Sequence, residues 1–415
     1  MKNLRPFYLL VITQTLSLIG SRMTSIAVGI RVTLETGQAA PLLLVAFFNE
    51  LPPMLLGSAA GVLIDRWPRK WVMVLADAGQ AVGSLLLLAS FLSGAFQLWH
   101  LYAVSLMQGV FAMFQAPAQD AVTTVLVNDA QRDRANALKQ MSFPLAGVIA
   151  PAVTGLLYPL IQISGIIAID MLTFVIAVGV VARMRIPQPP ASTENQQAAG
   201  GFWRELRGGL AYLWERRALL WLVLYFTIIN FLLNGPLGLN IPYLLRITGS
   251  ETQTGLILTA ESLGALAGGA AIVMRGGRRR MHIILPSFLL TGAMFILYGT
   301  SRTPLLLAVS LFLLLFTLPL TWGLYTSLLQ VKTPADMQGR MFSLTGQLGF
   351  AASTTSFLLT GPLVDNVIEP ATSAPGLGIG ALLVGVGVVI LILTAIMFTL
   401  KSVRDIEMTL PDYGE

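Results

Sequence analysis

The sequence predicts an all-α membrane protein with twelve transmembrane helices arranged as two similar six-helix bundles. Three observations predict this class: an apolar composition, twelve apolar runs long enough to span a bilayer, and basic residues concentrated on one side of those runs. Of the 415 residues, 55% are hydrophobic and 11% are charged, whereas soluble domains carry roughly 25% charged residues. The mean hydropathy of +0.75 agrees. Such a chain has too little polar surface to cover a soluble protein.

The twelve runs are each long enough to cross a hydrocarbon core, which needs roughly 20 apolar residues per helix. Backbone groups inside lipid must be satisfied within their own segment, so each run is expected to be a helix. The first run is too long for the apolar region of a signal peptide and is expected to be retained. The runs of the first half are 7–30, 41–64, 71–93, 98–126, 141–160 and 163–182, and those of the second half are 219–245, 253–274, 282–300, 304–331, 341–364 and 377–400.

The positions of the basic residues predict the orientation. With an even number of spans both termini share one side, and 22 of the 26 Lys and Arg residues fall on that side. Arg31, Arg246 and Arg302 fall on the other side, and Arg22 lies inside the first span. Because cytoplasmic loops carry the excess of Lys and Arg, both termini are predicted to be cytoplasmic in a bacterial inner membrane. The net charge of +6 therefore reflects topology and not nucleic-acid binding.

The longest polar interruption divides the chain in the middle. It contains Pro187, Pro189 and Pro190, which are typical of a linker. The apolar positions of 202–217 have helical spacing and alternate with arginines, as in a helix that lies on a membrane surface. We therefore predict four segments: a six-helix bundle over 1–185, a cytoplasmic linker with an amphipathic helix over 186–217, a second bundle over 218–402, and a cytoplasmic tail over 403–415.

The two halves carry related residues at a constant offset. Arg134 and Gly155 in the first half correspond to Arg340 and Gly361 in the second, each pair 206 residues apart. Two similar halves of six spans are a recurring transporter architecture, with the substrate site near the midplane.

The loop after the second span reads Gly61-Val-Leu-Ile-Asp65-Arg66-Trp-Pro-Arg69-Lys70. It resembles the G-x-L-x-D-R-x-x-R-K signature of the major facilitator superfamily. The resemblance implies the major facilitator fold and a latch on the cytoplasmic side that stabilises the outward-facing state. A topology signal combined with tight packing is the alternative. Further latch candidates are Asp77, expected to face Arg69 or Lys70, and Asp120, Arg134 and Arg340, although structural pairing also explains the two aspartates.

Three other stretches narrow the resemblance to an exporter branch that includes macrolide-efflux and enterobactin-export proteins. Two of them precede spans five and eleven: Arg134-Ala-Asn-Ala-Leu138 and Thr333–Ser343. The third contains Gly147, Pro151 and Gly155 in span five and is similar to the antiporter motif of drug exporters, with plain helix packing as the alternative. Related exporters often carry an acid after the glycine at position 20. Ser21 stands there in this chain, so that proton-coupling role is not transferred.

Four ionisable residues lie well inside the predicted spans, where they are costly and therefore functional candidates. Arg22, Glu50, Asp170 and Glu261 fall at broadly similar depths, about 10–14 Å from the outer face for the three acids, at about 1.5 Å of rise per residue. Arg22 is hypothesised to pair with Glu50 or Asp170 while a neighbouring acid carries a proton, Glu50 before Glu261 and Asp170. A fixed structural ion pair is the alternative.

The resemblance also implies a cavity lined by spans 1, 2, 4, 5, 7, 8, 10 and 11. Its candidate lining residues combine few polar groups with aromatic rings, which suits an amphipathic organic substrate. Each aromatic residue taken singly could instead face lipid or pack against a neighbouring helix. The candidates are Gln14, Phe47, Phe48, Asn230, Asn234, Trp322 and Tyr325.

The remaining function classes find no support in the sequence. The chain lacks a G-x-x-x-x-G-K-[ST] loop for ATP, it has no cysteine, and its two histidines, His100 and His282, are far apart, so we expect no enzyme, no cofactor and no metal. The leading hypothesis is a monomeric exporter of an amphipathic drug, macrolide-like compound or siderophore, driven by protons across the lipid bilayer. The alternatives are a proton-coupled nutrient importer and a transport-inactive sensor or scaffold.

Overall fold

A computed structural model describes residues 4–128, 131–184, 186, 202–275, 279–372 and 377–413, with the side chains of 57–66, 133, 202–206 and 275 left out. The described residues contain helices and no strand. A π-helical turn, Val364–Ile368, follows the thirteenth α-helix. The α-helices are α1 (Arg5–Thr36), α2 (Ala40–Arg66), α3 (Arg69–Leu92), α4 (Leu98–Leu126), α5 (Arg132–Gln140), α6 (Ser142–Arg183), α7 (Phe202–Glu215), α8 (Arg217–Gly238), α9 (Asn240–Thr248), α10 (Glu251–Arg275), α11 (Met281–Thr300), α12 (Pro304–Lys332), α13 (Ala335–Leu363), α14 (Leu377–Thr399), α15 (Lys401–Arg404) and α16 (Ile406–Thr409).

The twelve predicted runs all fall on helices. Runs one to four correspond to α1–α4, runs five and six to α6, run seven to α8 and α9, and runs eight to twelve to α10–α14. Among the described residues, eight helical stretches are long and apolar enough to cross a membrane by length and composition alone. One of the eight, Arg134–Arg183, contains both the fifth and the sixth predicted run.

One predicted run is divided in the structure. Runs five and six are the two parts of α6, which breaks at Gln162 (φ 55°, ψ −176°), between the predicted ends at 160 and 163. A positive φ is uncommon for a residue other than glycine, and here one such residue separates the two spans. Run seven, in contrast, is divided at Leu239, which caps α8 and precedes α9.

The helices form two compact units. The first comprises Met1–Gly37 and Leu44–Gly200, and the second comprises Gln38–Leu43 and Gly201–Glu415. In the first unit α1 packs on α6, and α3 packs on both α4 and α6. In the second unit α8 packs on α13, and α11 packs on both α12 and α14. Each unit therefore repeats the same pairings between its first and fifth, third and fourth, and third and sixth spans.

Glycines bring corresponding helices of both units into close contact. A Cβ atom at Gly109 of α4 would collide with the carbonyl oxygen of Asn49 in α2. In the second unit Gly264 and Gly268 of α10 face the backbone of α12 in the same way. Small residues are what allow transmembrane backbones to approach this closely, so a larger side chain at these positions would push the helices apart.

The chain after α14 packs into the second unit. The Lys332 side chain is only 2% exposed and donates to the carbonyl oxygens of Glu407 (2.7 Å) and Leu410 (2.6 Å). The Glu407 carboxylate accepts hydrogen bonds from the backbone N–H groups of Arg280 (2.9 Å) and Met281 (3.1 Å). These N–H groups begin α11, where an anion is favourable. The end of the chain thus joins the last turn of α12 to the first turn of α11.

Candidate functional site

The second unit contains a cavity of about 370 Å³ between α8, α12 and α13. Four of the residues predicted from the sequence to contact substrate line it: Asn230, Asn234, Trp322 and Tyr325. No charged side chain is among the lining residues that the structure describes. The described lining residues are Phe226, Thr227, Asn230, Asn234, Trp322, Tyr325, Thr326, Leu329, Phe342, Thr345, Gly346, Gly349, Phe350 and Ser353.

An aromatic cluster forms one wall of this cavity. The rings of Phe226 and Tyr325 are stacked, with centroids 3.8 Å apart and planes 14° from parallel. The Trp322 ring meets both of them edge-on, at 5.5 Å from Phe226 and 5.8 Å from Tyr325. Phe226 and Tyr325 are buried, whereas Trp322 is partly exposed. Trp322 is therefore the aromatic side chain of this cluster most available to a ligand.

Two asparagines add a polar patch to the aromatic wall. The Asn234 amide nitrogen donates to the side-chain oxygen and to the backbone oxygen of Asn230, both at 2.8 Å. One helical turn separates the two residues, so both amides lie on the same face of α8. A cavity with aromatic rings and a few amides fits a neutral or amphipathic organic molecule.

The first unit contains a second cavity, of about 630 Å³. Its wall is more polar than that of the second unit and includes a salt bridge between Lys139 and Asp120. Carboxamides supply most of the other polar groups. The lining is Gln14, Leu18, Ala112, Gln115, Ala116, Gln119, Asp120, Asn136, Lys139, Gln140, Ser142 and Phe143.

Asp77 lies beside this cavity with partners other than those predicted. Its side chain is fully buried and accepts hydrogen bonds from the amides of Gln14 (2.8 Å) and Gln115 (2.6 Å). Arg69 instead donates to the carbonyl oxygen of Ala121, and Lys70 to that of Ala182. The expectation that Asp77 faces Arg69 or Lys70 is thus wrong, because the two cations bind backbone carbonyls of α4 and α6, whereas the Asp77 carboxylate bonds to Gln14 and Gln115.

Asp170 occupies a separate polar pocket in the first unit. Its carboxylate is 1% exposed and accepts hydrogen bonds from the hydroxyls of Ser21 (3.2 Å), Thr24 (3.1 Å) and Ser84 (3.0 Å). Among the described residues, no basic side chain forms a salt bridge with it. The hypothesised pair of Arg22 and Asp170 is therefore absent, because hydroxyls satisfy the carboxylate.

Arg22, Glu261 and Glu50 are the other charged residues predicted inside the spans, and each lies in a different environment. The Arg22 guanidinium lies 3.8 Å from the centre of the Phe143 ring, which favours a cation–π contact. Glu261 accepts a hydrogen bond of 3.1 Å from Asn240. Glu50 is partly exposed on α2. The roles of Arg22, Glu50 and Glu261 in proton coupling stay predictions.

The remaining predicted site residues fall outside the two cavities. Phe47 and Phe48 contact each other edge-on at 5.3 Å, and neither lines a described cavity. Gly61, Asp65 and Arg66 lie outside the described side chains. Arg134 and Arg340 are exposed, so their latch role stays a prediction. The antiporter-like residues Gly147, Pro151 and Gly155 are buried on one face of α6.

Sequence reasoning missed three features of the structure. It did not identify the glutamines around Asp77, the ion pair of Arg246 with Glu369 (3.0 Å), or the contact of Asp365 with the start of α2. The Asp365 carboxylate accepts hydrogen bonds from the N–H groups of Ala39 (2.8 Å) and Ala40 (2.7 Å) within the second unit. The acids at 365 and 369 follow a predicted span end, which was a usable signal for pairing.

The repeated helix pairings and the two cavities define a class, that of polytopic membrane carriers built from two related helix bundles. The model of the Major Facilitator Superfamily matches residues 10–357. The chain belongs to the Major Facilitator Superfamily, whose members are carriers of small molecules and not enzymes. It is accordingly a multi-pass membrane transporter, and the predicted fold class is confirmed.

Several curated relatives of this chain are efflux proteins. Macrolide efflux protein A of Streptococcus pyogenes is 29% identical over 367 residues, covering 87% of this chain and 90% of the relative. The multidrug efflux pump Tap of Mycolicibacterium fortuitum is 24% identical over 396 residues, covering 93% and 95%. The enterobactin exporter EntS of Shigella flexneri is 28% identical over 340 residues, covering 79% and 77%. The predicted likeness to this exporter branch is confirmed.

Solved structures of the same fold are more distant in sequence. A bacterial homologue of the human lysosomal transporter Spinster, in an inward-facing and unoccupied conformation, has a TM-score of 0.72 at 15% identity and covers 97% of both chains. The nucleoside transporter NupG has a TM-score of 0.70 at 13% identity and covers 95% of this chain and 98% of its own. At such identities the likeness concerns the fold alone.

Proposed function

We propose that this transporter exports an amphipathic small molecule, of the kind of a drug, a macrolide or a siderophore, by proton antiport with alternating access. The observation that carries the proposal is the cavity of the second unit, with its aromatic cluster, its two asparagines and no charged residue in the described part of its lining. At about 370 Å³ it lies within the range of small-molecule sites, roughly 300–1,000 Å³. A nutrient importer would be expected to present more charged and polar ligands. The efflux relatives favour the same direction of transport.

Proton coupling is proposed because the spans contain buried carboxylates and the sequence lacks a nucleotide-binding loop. Burying a carboxylate in a membrane span costs several kcal/mol unless it is paired or protonated. Asp77 and Asp170 are both buried and form hydrogen bonds with neutral groups. Such groups can change charge during a transport cycle, which a fixed ion pair does not do.

The proposed setting is a bacterial inner membrane, with a monomeric carrier and both termini in the cytoplasm. The charge distribution of the loops supports this orientation. The amphipathic character of the helix α7 supports a position at the cytoplasmic surface.

The test measures accumulation of erythromycin and of enterobactin in cells that lack their own efflux pumps. Expression of the transporter is expected to lower accumulation of at least one compound, and a protonophore is expected to restore it. Cells with empty vector provide the control. Accumulation unchanged by expression would refute export of these cargo classes, and export that persists with the protonophore would refute proton coupling.

A further inference from the structure

Asp77 is a buried acid whose hydrogen-bond donors, among the residues that the structure describes, are two side-chain amides. Gln14 donates to its Oδ2 atom at 2.8 Å and Gln115 to its Oδ1 atom at 2.6 Å. No salt bridge to Asp77 occurs in the part of the chain that the structure describes. Amide groups orient a carboxylate but do not neutralise its charge. In a membrane span this leaves protonation as the direct way to remove the charge.

The two amides that hold Asp77 also form part of the cavity wall. Gln14 and Gln115 both line the 630 Å³ cavity of the first unit. The Gln115 amide nitrogen additionally donates to the Gln14 side-chain oxygen (3.3 Å), and Gln80 donates to the Gln115 oxygen (3.1 Å). Three carboxamides from α1, α3 and α4 therefore form one network with Asp77. A cavity of this size also has room for the water that would deliver a proton.

Protonation of Asp77 would change the direction of at least one hydrogen bond in this network. The ionised carboxylate only accepts hydrogen bonds, whereas a carboxylic acid also donates one and needs an acceptor. The nearest groups are the amides of Gln14 and Gln115, and an amide offers an acceptor only by rotating its oxygen toward Asp77. If Gln115 rotates, its nitrogen faces the Gln80 nitrogen, so Gln80 must move as well. A proton on Asp77 therefore changes which atoms Gln14 and Gln115 present to the cavity.

The charged groups on neighbouring helices are engaged elsewhere. On α1, Arg22 lies over the Phe143 ring. On α4 and α5, Asp120 and Lys139 form a salt bridge with each other. On α6, Asp170 is satisfied by three hydroxyls, and at the start of α3 the cations of Arg69 and Lys70 bind backbone carbonyls.

Asp170 differs from Asp77 in its link to the cavity. The hydroxyl donors of Asp170 are Ser21, Thr24 and Ser84, and none of them lines either described cavity. A change of charge on Asp170 would thus be confined to its own pocket. Asp170 is therefore the rival proton site in the same unit, and the experiment must separate it from Asp77.

We propose that Asp77 is the carboxyl group that binds the transported proton, and that Gln14 and Gln115 transmit its protonation to the cavity of the first unit. This inference rests on the proposed proton antiport and takes the place of Glu50, which the sequence favoured. The step is a simple protonation: the Asp77 carboxylate takes one proton from water on one side and releases it to water on the other. The altered amides then change the affinity of the first-unit cavity for cargo. Cargo can couple to the proton only if it binds the protonated and the ionised state with different affinity.

The first experiment uses the full chain in liposomes with radiolabelled erythromycin. Transport driven by an imposed pH gradient is compared with exchange across the membrane at equal pH. Asp77→Asn is expected to abolish the gradient-driven component and to keep exchange, and Asp77→Glu is expected to restore part of the gradient-driven component. Asp170→Asn tests the rival site, and the control Glu35→Gln, which removes a carboxylate paired with Arg31 near the end of α1, is expected to keep both components. Wild-type pH dependence in Asp77→Asn, or its loss only in Asp170→Asn, would overturn the assignment.

A second experiment needs neither a variant nor transport. A hydrophobic carbodiimide reacts with protonated carboxyl groups in apolar surroundings, and mass spectrometry locates the adduct. In the wild-type chain we expect labelling of Asp77 at low pH that decreases as the pH rises. Absence of labelling at Asp77 would overturn the inference even if erythromycin is transported. If Asp77 is labelled but the chain transports no erythromycin, the proton site is supported and erythromycin is excluded as a cargo.

Discussion

At the scale of single residues, we expect Trp322 to contact a ligand in the cavity of the second unit. It is the partly exposed member of the aromatic cluster, whereas Phe226 and Tyr325 are buried. Aromatic pairs contribute about 0.5–1.5 kcal/mol beyond their area burial, which corresponds to roughly twofold to tenfold in affinity. We expect Trp322→Ala to weaken erythromycin export by a factor in this range, measured as the erythromycin concentration that gives half-maximal efflux.

The matched control for this prediction is Trp99→Ala. Trp99 is 58% exposed at the start of α4 and lines neither described cavity. The Trp99→Ala substitution removes the same type of side chain and leaves the aromatic cluster of the second unit unchanged. Equal export by Trp322→Ala and the wild type would exclude Trp322 from the cargo site.

At the scale of elements, the segment after α14 connects the end of α12 to the start of α11. Lys332 at the end of α12 binds the carbonyls of Glu407 and Leu410, and its salt bridge with Asp412 measures 2.5 Å. The Asp412 side chain is 60% exposed, so this ion pair contributes little. The stabilisation comes from the buried ammonium bonded to carbonyls. Tyr212 of α7 adds a hydrogen bond of 3.1 Å to the Lys332 backbone.

Loss of the Lys332 ammonium should therefore destabilise the second unit. Hydrogen bonds to charged groups contribute about 1.5–3 kcal/mol each, so we expect Lys332→Met to lower the thermal unfolding midpoint of the purified transporter by several degrees. Lys401→Met serves as control, because Lys401 is exposed and should leave the midpoint unchanged. An unchanged midpoint in Lys332→Met would mean that the end of the chain is not docked as described.

At the scale of the whole molecule, hydropathy was sufficient to predict the spans but not the partners of the polar side chains buried between them. Lipid forces each apolar run into a helix, so all twelve runs could be read from composition. The break at Gln162 lies between Pro159 and the pair Ser164-Gly165, and the predicted boundary between runs five and six falls on the same position. The partners of Asp77 come from α1 and α4, and only tertiary packing brings Gln14 and Gln115 together. Asn230, Asn234, Trp322 and Tyr325 were predictable because polar and aromatic residues are conspicuous in apolar spans.

The proposed orientation of the whole chain is testable by chemical labelling, because the chain has no cysteine. Single cysteines at Ser93, Thr303 and Ser402 would occupy exposed positions, the first two on the proposed outer side and the third on the cytoplasmic side. In intact cells we expect a membrane-impermeant maleimide to label Ser93→Cys and Thr303→Cys and to spare Ser402→Cys. Permeabilised cells should label all three, which controls for reactivity. Labelling of Ser402→Cys in intact cells would reverse the orientation, and labelling of only one of the other two would contradict the even number of spans between them.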